Sequence, residues 1–187
     1  MKRDTVLTKP ITSSFLSCEK DAELILRKLF IESRPYSDLL KRLLVVQAPD
    51  AIDKEYDVSE YTLKKLIDDG YILLKPRVNF KEHEQVKSFI VLSFDDFIPS
   101  SNPEFRDCLI NFEIVCHHDH WDLGNYRQRP FKIIGYIDGL LNNSRLTGIG
   151  TLNFVGCKET VLNHNWTYYN LSYLAIHGSD DQIPNEE

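Results

Sequence analysis

The chain has 187 residues, 42% of them hydrophobic, which is enough to form one domain with a substantial core. Its net charge is −6, and its 22 lysines and arginines are scattered along the sequence. This argues against a broad duplex nucleic-acid surface, which needs a clustered basic face. No run approaches the roughly 18 apolar residues of a membrane span, and residues 1–15 lack the apolar core of a secretory signal. We therefore expect a protein that matures in a cytoplasm with free thiols.

The first part of the chain has the spacing of helices. Residues 1–17 are polar and predict an extended arm. A helix is predicted from Ser17, because acidic residues follow it and apolar residues then recur every three or four positions. Two further helical patterns occur at 39–44 and 63–67, the second with a glycine cap three residues beyond it. The sequence thus predicts a helical region over 18–75.

The second part of the chain changes to the two-residue period of strands. Strands are predicted over 86–94 and 108–117. The amphipathic stripe of 130–142 predicts the main helix, with a proline in its first turn. Two more strands follow, at 148–162 and 166–178. This order predicts an α+β fold in which a mostly antiparallel sheet is packed by one main amphipathic helix.

The predicted domain organisation follows from these two parts. An extended arm at 1–17 precedes a single α+β domain at 18–178, and a frayed acidic tail occupies 179–187. Within the domain, the helical region gives way to a sheet–helix–sheet region at 86–178. No internal repeat divides the chain further.

Cys116, His118 and His120 are the candidates for a chemical site. They lie in the stretch CHHDHWD at the end of a predicted strand, where alternate residues project from one face. Thiolate and imidazole are ligands that zinc prefers, so a small metal-dependent enzyme is one hypothesis. In the other interpretation, Cys116 continues the buried face of the strand and the histidines form a polar rim. We favour the second, and predict no metal, no catalytic residue and no cofactor.

Aromatic residues are concentrated in the last third of the chain, and Tyr and Trp are enriched in protein interfaces. Tyr168, Tyr169 and Tyr173 lie on the last predicted strand, which we expect at an edge of the sheet. Arg127 and Arg129 precede the main helix, where they could bind an acidic partner. These five residues are the predicted contact residues, for a second copy of the chain or for a peptide that adds a strand at that edge.

Four stretches follow one another over residues 86–178. They are the strand and polar loop INFEIVCHHDHWDLGNYRQRP, the helix FKIIGYIDGLLNN, the strand start GIGTLNFVG and the aromatic strand TYYNLSYLAIHG. Their order and character resemble the tail terminator, or tail completion, proteins at the head–tail junction of tailed bacteriophages. The resemblance covers about half the chain, and the helical region before it is longer than that family leads one to expect.

The resemblance implies a structural virion protein of the phage neck, without catalytic activity. It implies a ring of identical copies, six being the expected number, that terminates the tail tube and joins it to the capsid connector. The implied partners are further copies of the chain, the tail tube protein and the connector or neck proteins. DNA would only pass through the lumen, no membrane would be involved, and assembly would take place in the host bacterial cytoplasm. The metal-dependent enzyme and a monomeric peptide-binding adaptor are the alternatives.

Overall fold

The computed structural model describes most of the predicted domain. The described residues are 15, 17–74, 86–99, 106–146 and 149–177. The predicted acidic tail lies outside them, and so does the predicted arm apart from Phe15 and Ser17.

The predicted helical patterns form helices at the expected places. They are α1 (Ser17–Arg27), α2 (Tyr36–Val45), α3 (Leu63–Asp68) and α4 (Arg129–Leu141). Pro130 lies in the first turn of α4, where its fixed φ suits the helix and no N–H donor is required. Gly70 follows α3 with a φ of 71°, and this left-handed conformation turns the chain toward the first strand. Among the described residues, no helix is long and apolar enough to cross a membrane.

Six of the eight described strands form one sheet in the order β1-β2-β3-β8-β7-β6, and β4 and β5 form a separate small ribbon. The strands are β1 (Ile72–Leu73), β2 (Ser88–Pro99), β3 (Arg106–His117), β4 (Asp122–Leu123), β5 (Arg127–Gln128), β6 (Arg145–Leu146), β7 (Gly150–Val161) and β8 (Trp166–His177). Only β1 and β2 pair in parallel; all other neighbours among these described strands are antiparallel. The predicted α+β class is confirmed.

The last long strand lies inside the sheet, which corrects the prediction that this strand forms an edge of the sheet. β8 pairs with β3 along its whole length and with β7 on its other side. Leu171, Tyr173 and Ala175 are completely buried on one face of β8. A strand with this apolar face and with partners on both sides has no backbone groups left for a peptide to bind.

The helices cover one face of the sheet and build the main core there. Ile110, Phe112 and Ile114 of β3 project into this core, where they are fully buried together with Ile133 and Ile137 of α4. A smaller cluster occupies the opposite face of the sheet. Its members are Phe89, Val91, Val115 and Trp166. Both faces of the sheet centre are therefore apolar, as expected for strands buried on two sides.

Two glycines offer a matched test of this backbone geometry. Gly70→Ala should lower the free energy of unfolding by about 1–2 kcal/mol, because alanine is strained at positive φ. Gly135→Ala should raise it by about 0.5–1 kcal/mol, because Gly135 lies inside α4 and a Cβ there meets no atom within 4 Å. Urea unfolding of both variants beside the wild type measures the two effects. Equal signs would contradict the assigned conformations.

Candidate functional site

The histidine-rich stretch does not continue the strand that leads into it. β3 ends at His117, and His118–His120 form one turn of 3₁₀ helix. The alternation that would place Cys116, His118 and His120 on one face therefore stops at the strand end. Among the described residues, no group of three His, Cys, Asp or Glu side chains is arranged to hold a metal ion.

His117 and His118 make separate contacts near the start of β8. The ring of His117 meets the ring of Trp166 edge-on, with 4.9 Å between the centroids. Nδ1 of His117 accepts a hydrogen bond from the backbone N–H of Asp119 at 3.1 Å. His118 is exposed, and its Nε2 lies 3.0 Å from the Thr167 hydroxyl. These contacts hold the end of β3 against β8.

His120 is buried, with partners for both ring nitrogens. Its Nδ1 lies 2.9 Å from Oγ of Ser88, and its Nε2 lies 3.1 Å from the carbonyl oxygen of Val46. Because a carbonyl can only accept, we assign the hydrogen to Nε2, so that Nδ1 accepts from the Ser88 hydroxyl. Burial, and then the positive charge of Arg129, lower the pKa of His120 to about 4. His120 is therefore neutral at pH 7.

The Ser88–His120 pair has the residue types of a nucleophile and its base, but Ser88 is completely buried. Ser88 is paired across the sheet with Cys116, which is also completely buried. Burial raises the pKa of the Cys116 thiol to about 12, so the thiol is protonated. In the folded chain this cluster joins β2 and β3 to the end of α2 and faces the core.

Arg129 is the largest of the fully buried side chains in the described part of the chain. Its guanidinium donates hydrogen bonds to the carbonyl oxygens of Leu43 at 2.8 Å, Val46 at 3.0 Å and Ala48 at 3.1 Å. Its Nε donates to the carbonyl oxygen of His120 at 2.7 Å. Burial lowers the pKa of Arg129 to about 10, which leaves it charged at neutral pH. A positive charge at the C-terminal end of α2 is stabilised by the helix dipole.

Three of the five predicted contact residues face the core, which corrects the expectation that they are accessible. Arg129 and Tyr173 are fully buried, and Tyr169 is only 8% exposed. Tyr173 donates its hydroxyl hydrogen to Asp138 at 2.9 Å, which satisfies the polar end of the ring inside the protein. The two tyrosines alternate on the helix-covered face of β8, opposite Ile110 and Ile114 of β3.

The other two predicted contact residues are partly exposed. Arg127 forms an ion pair with Asp53, and its Nε donates to the carbonyl oxygen of Gly124 at 2.7 Å. Its side chain thus fastens the β4–β5 ribbon to the segment after α2. Tyr168 lies on the opposite face of the sheet, beside the smaller apolar cluster. The side chain of Arg127 already has partners within the chain, so Tyr168 is the better placed of the two for contact with another molecule.

Exposed apolar side chains gather instead along β7, which the sequence did not single out. Phe154, Val155 and Val161 of β7 are 48%, 55% and 66% exposed. Phe131 of α4 is 52% exposed, and its ring lies 5.2 Å from the ring of Tyr169 of β8. Phe154 and Val155 lie at one end of this part of β7 and Val161 at the other, with the exposed Lys158 and Glu159 between them. The sequence gives little indication of this surface, because the pattern of β7 is that of an ordinary strand with alternating residues.

The backbone of β7 is also partly uncovered. β6 pairs only with Gly150 and Thr151, and the N–H of Phe154 donates to the side chain of Asn142 at 3.3 Å. From Val155 to Val161, no described strand lies on the side of β7 away from β8. An uncovered strand edge presents N–H and C=O groups to which another strand can bond. We refer to residues 155–161 as the β7 edge.

The model of one protein family, YomW, matches residues 37–175. The chain belongs to the YomW family. YomW is a phage-derived family of the Bacillus prophage type, so this is a phage-related protein. The matched range includes both the Arg129–His120 cluster and the β7 edge. The comparisons with curated proteins and with solved structures gave no match.

Arg129→Met tests the buried cluster by keeping most of the side-chain volume and removing every donor. Hydrogen bonds that involve a charged group contribute about 1.5–3 kcal/mol each, so we expect the free energy of unfolding to fall by at least about 3 kcal/mol. Urea unfolding followed by tryptophan fluorescence measures the loss. Arg127→Met is the matched control, because loss of a surface ion pair costs less than about 1 kcal/mol. Equal losses in both variants would contradict the assigned role of Arg129.

His120 should make the stability of the fold depend on pH. Its pKa is about 4 in the folded chain and near 6.5 when unfolded, so protons bind preferentially to the unfolded state between these values. Stability should be complete above pH 6.5 and fall by about 2 kcal/mol on going from pH 7.5 to pH 5. His120→Gln removes this titration and should give a flatter profile over the same interval. Parallel profiles for wild type and variant would show that His120 does not carry the effect.

Proposed function

We propose that the chain is a structural protein of the phage head–tail junction. In this role identical copies form a ring that terminates the tail tube and joins it to the capsid connector. The ring acts by assembly and contains no catalytic step. Its partners are other copies of the chain, the tail tube protein and the connector or neck proteins, and its place is the neck of the virion.

The observation that carries this proposal is the β7 edge. It combines the exposed side chains of Val155 and Val161, at its two ends, with a strand backbone that no described strand covers. A surface of this composition is unfavourable in water and is stabilised when a partner covers it. It therefore supports a protein whose working state is an assembly.

Two further observations are consistent with the proposal. Membership of a phage-derived family supports a role in the phage. The Arg129–His120 cluster ties α2, α4 and the sheet together, so the edge is presented by a firmly held domain. Assembly into a ring requires that each copy use two different surfaces, one for each neighbour.

Deletion of the coding sequence from the phage genome tests the role directly. We expect electron microscopy to show filled heads and separate tails that are not joined, and complementation from a plasmid to restore complete particles. Mass spectrometry of purified wild-type particles should detect the chain, and immunogold labelling should place it at the neck. A deletion phage that gives infectious particles at the wild-type titre would contradict the proposal.

A further inference from the structure

A second long strand is uncovered on the opposite side of the sheet. β1 pairs with β2 only at Ile90 and Val91. From Leu92 to Ile98, no described strand lies on the side of β2 away from β3. We refer to residues 92–98 as the β2 edge. The sheet thus has two long strands near its edges, β2 and β7. The short strands β1 and β6 cover only the first part of each.

We infer that the β7 edge of one copy pairs in antiparallel fashion with the β2 edge of the next copy. This rests on the proposed function in one respect, since it takes the partner to be another copy of the same chain. Beyond the proposed function, the inference specifies which two surfaces of the chain meet, the relative direction of the two strands and their register. The contact joins two different surfaces, so its repetition gives a ring or a filament.

The strand directions favour this pairing. The four long strands alternate across the sheet, so that β2 and β8 run one way while β3 and β7 run the other way. A second copy that faces the same way therefore offers a β2 that runs opposite to β7. The antiparallel pattern within each copy continues across the contact without interruption, and antiparallel strands bond through their closely spaced N–H and C=O groups.

The uncovered stretches also match in length and position. Each edge contains seven residues and forms the C-terminal part of its strand, after the part that β6 or β1 covers. When the two edges overlap fully in antiparallel orientation, β6 lies beyond the end of β2 of the next copy. In the same way, β1 of the next copy lies beyond the end of β7. The short strands therefore fit around the contact and exclude registers in which the overlap extends further toward them.

Side-chain chemistry agrees with that register. Full overlap places Lys158 opposite Asp95, and both side chains are exposed. Lys158 lies in one row across the sheet with Asn170, Glu113 and Val91, and Asp95 projects from the same face as Val91. An opposite-charge pair directly across two strands is stabilising.

The overlap is regular over only part of the two edges. β2 has an irregularity between Asp95 and Ile98, and β7 has one between Phe154 and Gly156. The regular pairs therefore run from Lys158 opposite Asp95 to Val161 opposite Leu92. Val161 is 66% exposed and Leu92 is buried, so the contact covers apolar surface of Val161 that a single copy leaves in water.

Charge reversal with rescue tests the pairing. Lys158→Glu and Asp95→Lys each place like charges across the contact and should weaken assembly at least about tenfold, measured by mass photometry over a dilution series. The double variant restores an opposite-charge pair at every contact and should assemble to within about threefold of the wild type. Lys64→Glu on α3 carries the same charge change at an exposed position and should assemble as the wild type does. Unchanged assembly in the single variants, or no recovery in the double variant, would overturn the inference.

A disulfide test distinguishes this contact from a symmetric one between two β7 strands. Ser93 and Thr160 are opposite each other in the inferred register, and Cys157→Ser first removes the exposed native thiol. In that background, Ser93→Cys with Thr160→Cys should give a ladder of dimers, trimers and higher multimers after oxidation with oxidised glutathione. Each single cysteine should give no more than dimers. A double variant that yields only the dimers of Thr160→Cys would overturn the pairing with β2.

The two proposals can fail separately. The copies could pair through these edges in solution while the chain is absent from purified particles. That result would support the inferred contact and contradict the role at the neck. The chain could instead be found at the neck while the charge reversals leave its assembly unchanged. That result would support the role at the neck and contradict the inferred contact.

Discussion

The buried guanidinium of Arg129 is the interaction on which the rest of the domain depends. It joins parts of the chain that are far apart in sequence: the carbonyls at the end of α2, the 3₁₀ turn after β3 and the start of α4. Its hydrogen-bond acceptors in the described part of the chain are all backbone carbonyl oxygens, so backbone dipoles stabilise the charge. This requires the carbonyl groups to keep their positions, and that requirement fixes how the helices lie on the sheet.

Much of the fold could be predicted because its elements have strong local patterns. The stripe of α4, with Pro130 in its first turn, and the alternation in β3 each specify one type of structure. The two-residue strands β1 and β6 could not be predicted, because so short a segment carries no periodic signal. The central place of β8 was also missed. Its tyrosines suit either an interface or a core, and only the pairing with β3 and β7 decides between them.

The site was harder to predict, because the same residue types serve burial and contact. Arg129 beside a helix start looks like a surface charge, and nothing local reveals that carbonyl groups about eighty residues earlier will bind it. His120 looks like a metal ligand until Ser88 and Val46 occupy its two nitrogens. The β7 edge depends on where β6 ends, which is a property of the folded sheet. Long-range pairing decided all three outcomes.

The position of β8 has a consequence for the order of events during synthesis. β7 joins the sheet only through β8, and β8 is the last of the long strands to leave the ribosome. Until β8 inserts beside β3, the two-residue β6 is the only described strand that pairs with β7, and Ile110, Phe112 and Ile114 lack their neighbours on β8. A chain truncated before β8 therefore lacks the strand that joins β7 to the rest of the sheet. Under the proposed pairing of copies, only chains whose synthesis has passed β8 would assemble, a form of quality control that needs no other protein.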